Sequence, residues 1–495
     1  MKKQEELFDL IQSLDKQEKV HFKMNASRRD GDKKYLQLFD AIHAQKKYDE
    51  PALRKKFAGE PFMRQFSVAK NYLYNTLLRS LRQYHAESNL ENVLRDGIHT
   101  VEILYNKGLY VQADRLCARM IKKAADSERH LRLFEALRWR RMIQRIQGYP
   151  ELDGKQLRKI TKEESDVFSA LKNWWEYDLL SDRYFILATH GGYLSKEQQS
   201  ELHALLSNPL LGSENRAISN RSRSTFYRIV SRIHHNLGNL ERSQQYAEKL
   251  IRLYEELPKN QFAEERYNYI IVLYNQLILL TYLKRNKAFE NTIAKLRRIV
   301  PVNNKERTTI FYTYLTELDF YIANKRYAEG CALEQPVAEG LKRYEGKMNV
   351  QVECSLSFNL CVVFIRSGRF NEALRWANRI INSSRYQTVD DFYYATRLLY
   401  LIIHYELGNY DTLEYLAEST DRYLKKHAYY GQLEEVLLDF LGTCLPGCTS
   451  EKEKITELRL LKKKIAAAAK LPGADKSLHY FDFSVWVEDK LRIKN

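Results

Sequence analysis

The chain has 495 residues with 29% charged, 9 Pro and 19 Gly, a composition that indicates a folded, mostly helical protein and excludes a largely disordered one. Its formal net charge of +17 favours an acidic protein segment or a nucleic acid as partner. Six scattered cysteines exclude a disulfide framework, and the absence of a secretory leader and of a long apolar run predicts a cytoplasmic protein that does not insert into membranes.

Residues 1–85 are predicted to form a separate basic helical module, because they contain short helical patterns but no copy of the repeat that follows. Residues 54–82 include seven basic side chains and one acidic one. A helix over 49–57, a turn and a helix over 67–84 loosely resemble a helix-turn-helix, although the turn is longer than that of the DNA-binding motif. We favour a basic packing module, and DNA recognition is the alternative interpretation. The possible nucleic-acid contacts are Arg54, Lys55, Lys56 and Lys70.

Two capping-box patterns predict helix starts on either side of a break at Gly191-Gly192. The patterns are Thr161-Lys-Glu-Glu164 and Ser195-Lys-Glu-Gln198. An aromatic-rich helix is predicted between them, and its rings either pack between helices or form a ligand platform. These rings belong to Trp174, Trp175, Tyr177, Tyr184 and Phe185.

Residues 86–441 are predicted to form a domain of repeated helical hairpins. In the best-marked copy, residues 357–384, one helix ends at Gly368, whose permissive backbone suits a C-terminal cap. Phe370 follows the turn, and the next helix carries a single apolar stripe that requires a neighbouring helix to cover it.

The turn of this hairpin recurs, each time with an apolar residue two positions after the turn glycine. Nine positions after each glycine a small residue follows a bulky one, which predicts that helices approach closely there. Two weaker copies, Lys287-Ala-Phe289 and Lys325-Arg-Tyr327, lack the glycine. The turn glycines are Gly108, Gly238, Gly368 and Gly408, and the small residues are Cys117, Ala247, Ala377 and Ala417.

These hairpins, marked by Gly368-Arg-Phe-Asn-Glu-Ala373 and its relatives, resemble the tetratricopeptide repeat family. The resemblance implies an all-α fold in which antiparallel helix pairs stack into a superhelical solenoid. It also implies a scaffold that binds peptides or proteins, with the first helix of each pair lining a concave groove.

Residues 442–495 are predicted to be C-terminal helices that cap the solenoid. A capping box at Ser450 and Glu453 starts a basic helix that continues through Ala469. Asp482 is placed as the N-cap of a last amphipathic helix, which we expect to close the exposed end of the repeats.

No enzymatic, metal or cofactor function is predicted, because the sequence lacks the phosphate-binding, dinucleotide-binding and zinc-protease motifs. Cys444-Leu-Pro-Gly-Cys448 offers two thiols without a second pair of ligands. His234 and His235 are adjacent, so on a helix they point about 100° apart and cannot share one metal as i, i+4 histidines do.

One basic cluster is the candidate partner site. Residues 215–240 contain no acidic residue and five arginines. A helix starting near Ser224 is predicted to bury Phe226, Ile229, Val230, Ile233 and Leu237 and to leave the cations on another face. The resemblance directs that face into the groove, where guanidinium groups bind carboxylates or phosphates. An exposed charged face without a partner is the alternative. The candidate residues are Arg221, Arg228, Arg232 and His235.

Two functions follow. The first is a non-enzymatic scaffold or adaptor that binds an acidic peptide or protein segment in a basic groove. The alternative is a nucleic-acid-associated regulator, with a DNA- or RNA-binding N-terminal module and a repeat domain for sensing or dimerisation.

Overall fold

The structure is a computed structural model that describes residues 5–27, 33–86, 89–148, 154–188, 194–346, 348–427, 431–444, 448, 450–470 and 481–493. These residues form helices joined by turns and no strand, which confirms the predicted all-α class. The predicted break at Gly191-Gly192 lies outside them. Within the described part, no helix has both the length and the apolarity needed to span a membrane.

The chain divides into two compact units, Met1–Arg266 and Tyr267–Asn495. The predicted boundaries after residues 85 and 441 both lie inside these units. Residues 7–77 nevertheless contain a hydrophobic cluster of their own, separate from the cluster that begins at Leu94.

The first unit contains twelve described α-helices and the start of a thirteenth. They are α1 (Glu6–Ser13), α2 (Lys16–Ser27), α3 (Lys33–His43), α4 (Glu50–Lys56), α5 (Phe66–His85), α6 (Leu90–Asn106), α7 (Tyr110–Asp126), α8 (His130–Ile146), α9 (Gly154–Ala188), α10 (Lys196–Leu206), α11 (Asn220–Asn236), α12 (Leu240–Glu256) and α13 (Lys259–Tyr282). From α6 onward, helices that follow one another in the chain commonly pack in pairs, such as α6 with α7 and α11 with α12.

The second unit continues from α13 with the same pairing of neighbouring helices, such as α18 with α19 and α20 with α21. Its described α-helices are α14 (Asn286–Arg297), α15 (Asn304–Ala323), α16 (Tyr327–Cys331), α17 (Glu334–Arg343), α18 (Val350–Arg366), α19 (Phe370–Ile381), α20 (Asp390–Glu406), α21 (Tyr410–Lys426), α22 (Gln432–Asp439), α23 (Glu451–Ala468) and α24 (Phe483–Ile493).

One turn geometry joins many of these helices. A residue with positive φ, between 49° and 77°, lies two positions before the next helix. The N–H of the residue after it donates to the carbonyl five positions earlier, as Leu109 does to Leu104 at 2.9 Å. This is the Schellman cap, which satisfies carbonyls at the end of a helix. The turn residues are Gly108, Glu128, Gly238, Lys284, Lys325, Gly368 and Gly408.

The four predicted turn glycines are therefore confirmed. The predicted turn position in one of the two weaker copies is wrong. Lys287-Ala-Phe289 lies inside α14, and the left-handed residue is Lys284, three positions earlier. Glu128 makes the same turn without any glycine. A side chain in this conformation costs only about 1–2 kcal/mol, so a search for glycine misses turns that other contacts stabilise.

A predicted helix start is also wrong. Thr161 lies within the continuous helix α9, where its hydroxyl donates to the carbonyl of Leu157 at 2.9 Å. Threonine can make this bond inside a helix and can also cap a helix, so the short pattern is ambiguous. The boxes at Ser195 and Ser450 are confirmed, with both reciprocal hydrogen bonds, and the Asp482 carboxylate accepts the first free N–H groups of α24.

The small residues of the repeated hairpins are buried, as predicted for close approaches between helices. Ala377 and Cys117 have no exposed surface, and Ala247 and Ala417 are at most 8% exposed. Ala377 lies in α19, which packs against both α18 and α20, so no space is left for a larger side chain.

Replacing Ala377 by leucine should lower the free energy of unfolding by about 1–3 kcal/mol, because three extra carbon atoms must enter a closed contact. Urea unfolding measures the loss. Ala467→Leu on the exposed face of α23 is the matched control and should change stability by less than about 0.5 kcal/mol. Equal stability of the two variants would contradict the assigned packing.

Carboxylates from distant segments cap two helices in the first unit. Glu128 accepts the N–H groups of Asn220 and Arg221, at 3.2 and 3.0 Å, at the start of α11. Glu264 accepts the N–H of Leu90 at 3.4 Å, at the start of α6, and pairs with Arg129 at 2.8 Å. The N-terminal end of each helix is thus capped by an acidic side chain, at a position where the helix dipole favours negative charge.

Candidate partner-binding site

Helix α11 carries the candidate arginines, and its start is fixed by capping. Ser219 accepts the N–H of Ser222 at 3.1 Å, and Glu128 accepts the two preceding N–H groups. The helix consequently begins at Asn220, four residues before the predicted start. The predicted apolar stripe is buried from Phe226 to Ile233.

Arg221 is half-buried against an aromatic ring of α9. Its guanidinium carbon lies 3.8 Å from the centre of a Trp174 ring, a cation–π distance. Burial lowers the pKa of Arg221, and the nearby Arg129 lowers it further. The carboxylates of Glu265, Asp178 and Glu91 act in the opposite direction. The positive charge of Arg221 is thus partly balanced by carboxylates of the protein itself.

Arg228 and Arg232 are one helical turn apart, and their positive charges are less balanced by nearby carboxylates than that of Arg221. Arg232 lies 5.2 Å from the centre of the Phe185 ring, and burial lowers the pKa of its guanidinium. Arg228 donates a 3.4 Å hydrogen bond to the Thr225 hydroxyl. Among the described residues, neither arginine forms an ion pair, and the same holds for Arg221. These half-buried charges retain donors for an anion.

His235 is half-buried one turn beyond this pair. Burial lowers its pKa, which is ordinarily near 6.5, so the imidazole is neutral at pH 7. His235 therefore adds no positive charge to this end of α11.

The aromatic residues of α9 divide between packing and exposure. Tyr177 and Tyr184 are buried, and the Tyr177 hydroxyl donates to the carbonyl of Leu210 at 2.7 Å. Trp175 and Phe185 are 53% and 46% exposed. Packing is thus the role of the two tyrosines, whereas Trp174 and Phe185 lie beside the arginines.

The sequence contains a signal for these ring–arginine pairs that periodicity within one helix does not reveal. Eleven residues separate Trp174 from Phe185, and eleven separate Arg221 from Arg232. Equal spacing on two helices is expected when the helices run parallel in register, as the two cation–π contacts require.

Two of the four N-terminal candidates belong to an internal network. Lys70 and Arg54 bind the carboxylate of Glu50 at 2.6 and 2.7 Å, and Lys70 also donates to the Tyr48 hydroxyl at 3.2 Å. Partial burial raises the pKa of Glu50, but these hydrogen bonds outweigh it and lower the pKa to about 2. Lys55 and Lys56 are exposed on α4.

The cysteines are free thiols, and burial raises the pKa of Cys117 and Cys354 to about 12, so both stay protonated at neutral pH. Residues 445–447, between Cys444 and Cys448, lie outside the described part. Among the residues that the structure describes, no three His, Cys, Asp or Glu side chains come together in a group that suits a metal ion.

In comparisons with known proteins, no family model matches the sequence, and no curated protein matches it.

Proposed function

We propose that the protein is a non-enzymatic scaffold of the tetratricopeptide-like solenoid type, and that α11 binds an acidic segment of a partner protein. Recurrence of one Schellman turn between paired helices supports the solenoid. The observation that carries the binding function is the Arg228–Arg232 pair, half-buried and without a carboxylate partner among the described residues.

The energetic argument starts from desolvation. A guanidinium group that is withdrawn from water without a counter-ion loses solvation, as the lowered pKa of Arg232 indicates. A carboxylate from outside restores the missing electrostatic partner and forms charge-assisted hydrogen bonds in a site of reduced dielectric constant. Phe185 provides an apolar surface beside the same site.

Spacing favours an extended acidic peptide. Residues one turn apart on a helix are separated by about 6 Å along its axis. Side chains on the same face of an extended strand recur about every 6.6 Å. A segment with acidic residues at alternate positions therefore matches Arg228 and Arg232, whereas adjacent acidic residues point to opposite sides.

Fluorescence anisotropy with labelled synthetic peptides tests the proposal. One peptide alternates glutamate with serine, and its control has the same composition with the glutamates in adjacent pairs separated by two serines, so that no two glutamates lie at alternate positions. We expect the alternating peptide to bind more tightly. Arg228→Glu with Arg232→Glu should abolish binding, because each substitution places a glutamate opposite a glutamate of the peptide.

Lys122→Glu with Lys123→Glu is the matched control, since it changes the net charge equally on the exposed face of α7. It should retain binding, and far-ultraviolet circular dichroism checks that every variant keeps its helices. Equal binding by the wild type and the α11 variant would refute the site.

The nucleic-acid alternative is tested in the same assay with a labelled single-stranded oligonucleotide. If that alternative holds, Lys55→Glu with Lys56→Glu removes oligonucleotide binding and the α11 variant does not. The internal network of Arg54 and Lys70 makes these two exposed lysines the informative positions.

A further inference from the structure

Helix α9 presents an apolar stripe of partly exposed side chains, of which Phe168 also contacts the Phe134 ring of α8 at a centroid distance of 5.9 Å. Phe168, Trp175 and Leu179 are 52%, 53% and 43% exposed, and Ile186 is 68% exposed. Tyr177, on the opposite side of the helix, is fully buried. Large apolar side chains that are exposed close together commonly mark an interaction surface.

The row follows the spacing of a coiled-coil seam. Steps of four and three residues alternate from Phe168 to Ile186, with Lys172 and Asp182 at the two polar positions. The described part of α9 is one unbroken helix of 35 residues, and the stripe occupies about 27 Å of it. The stripe is thus long enough for a partner helix to contact it over several turns.

The stripe is self-complementary when two copies pair antiparallel. A two-fold axis beside residue 177 places Trp175 of one copy level with Leu179 of the other. The same axis places Lys172 level with Asp182, so opposite charges meet in the two layers where the apolar row is interrupted. Parallel pairing instead places Lys172 against Lys172 and Asp182 against Asp182.

We propose that this face binds a second copy of the chain in an antiparallel, two-fold arrangement. Charge complementarity selects the second copy over an unrelated apolar helix, because both polar positions of the seam find opposite partners only in that register. Lys172 is 61% exposed, and its nearest carboxylate is that of Glu176 at 3.9 Å, a long and exposed contact that it can exchange. Each Glu176 lies near the Glu176 of the other copy across the axis, and this contact between like charges weakens the dimer. We therefore expect association in the micromolar range.

Sedimentation velocity of the full chain across a hundredfold concentration range, from about 1 µM upward, tests the proposal. The wild type should shift from monomer to dimer. Trp175→Glu with Leu179→Glu should raise the dissociation constant at least about tenfold, since it places charges in the centre of the seam. Far-ultraviolet circular dichroism checks that the helices remain intact.

Charge exchange tests the register. Lys172→Asp alone and Asp182→Lys alone should each weaken the dimer, because each places like charges in the same layer. The double variant Lys172→Asp with Asp182→Lys should restore wild-type association. The proposal is overturned if the wild type stays monomeric, if the dimer survives the Trp175 and Leu179 substitutions, or if the double exchange fails to restore it.

Discussion

Replacing Gly340 by alanine should lower the free energy of unfolding of the second unit by about 2–4 kcal/mol. Gly340 lies in α17, and a Cβ added there falls 1.8 Å from Cε2 of Phe311 on α15. Phe311 is 5% exposed and its ring packs against those of Tyr314 and Tyr344, so it cannot turn away without opening these contacts. Chemical denaturation measures the loss.

Gly97→Ala is the matched control, because Gly97 also lies inside a helix. A Cβ there meets the side chain of Met120, whose flexible thioether can move. The control should be near neutral, or slightly stabilising, since alanine is about 1 kcal/mol better than glycine within a helix. Phe311→Leu should recover part of the loss in Gly340→Ala. Similar stabilities of the two alanine variants would contradict this account.

Removing the Glu317 carboxylate should cost about 3–4 kcal/mol. Glu317 is 4% exposed and pairs with the guanidinium group of Arg297, which lies over the Tyr314 ring at 3.8 Å and donates to Thr313 at 2.9 Å. Glu317→Ala leaves the Arg297 charge in a partly desolvated position with a single neutral acceptor. Urea unfolding of this variant gives the cost.

The double variant Arg297→Met with Glu317→Leu is the informative comparison. It removes both charges and fills the space with apolar atoms, so it should be close to wild type and clearly more stable than Glu317→Ala. A cost below about 1 kcal/mol for Glu317→Ala would show that the pair behaves as an exposed one.

The turns show how far the sequence predicts the fold. Where the left-handed residue is glycine, as at Gly368, composition and periodicity locate the turn and both helices. Glu128 makes the same turn without glycine, and its carboxylate is held by the start of α11, a contact 92 residues away. Such a contact leaves no local signal, so the sequence does not predict that turn.

The candidate site was predictable to a similar extent. The 3.6-residue period identifies which residues of α11 are buried, and it places Arg228 and Arg232 away from them. The half-burial of Arg232 depends on its contact with Phe185 of α9, and the sequence of α11 alone does not show which helix packs against it. Thr161 illustrates the same limit, since its pattern fits a cap or a helix interior until the neighbouring residues are placed.

The acidic caps at Glu128 and Glu264 have a consequence for how the first unit unfolds. In a linear array each repeat contacts only its neighbours, so the ends fray independently and stability grows by increments. Here the start of α6 is held by a side chain 174 residues further along the chain. Residues 90–266 should therefore open as one cooperative block, and the amide protons of α6 and α11 should exchange with solvent at a common rate. Closing so long a loop also makes the folding of this block slow compared with that of an open helical array.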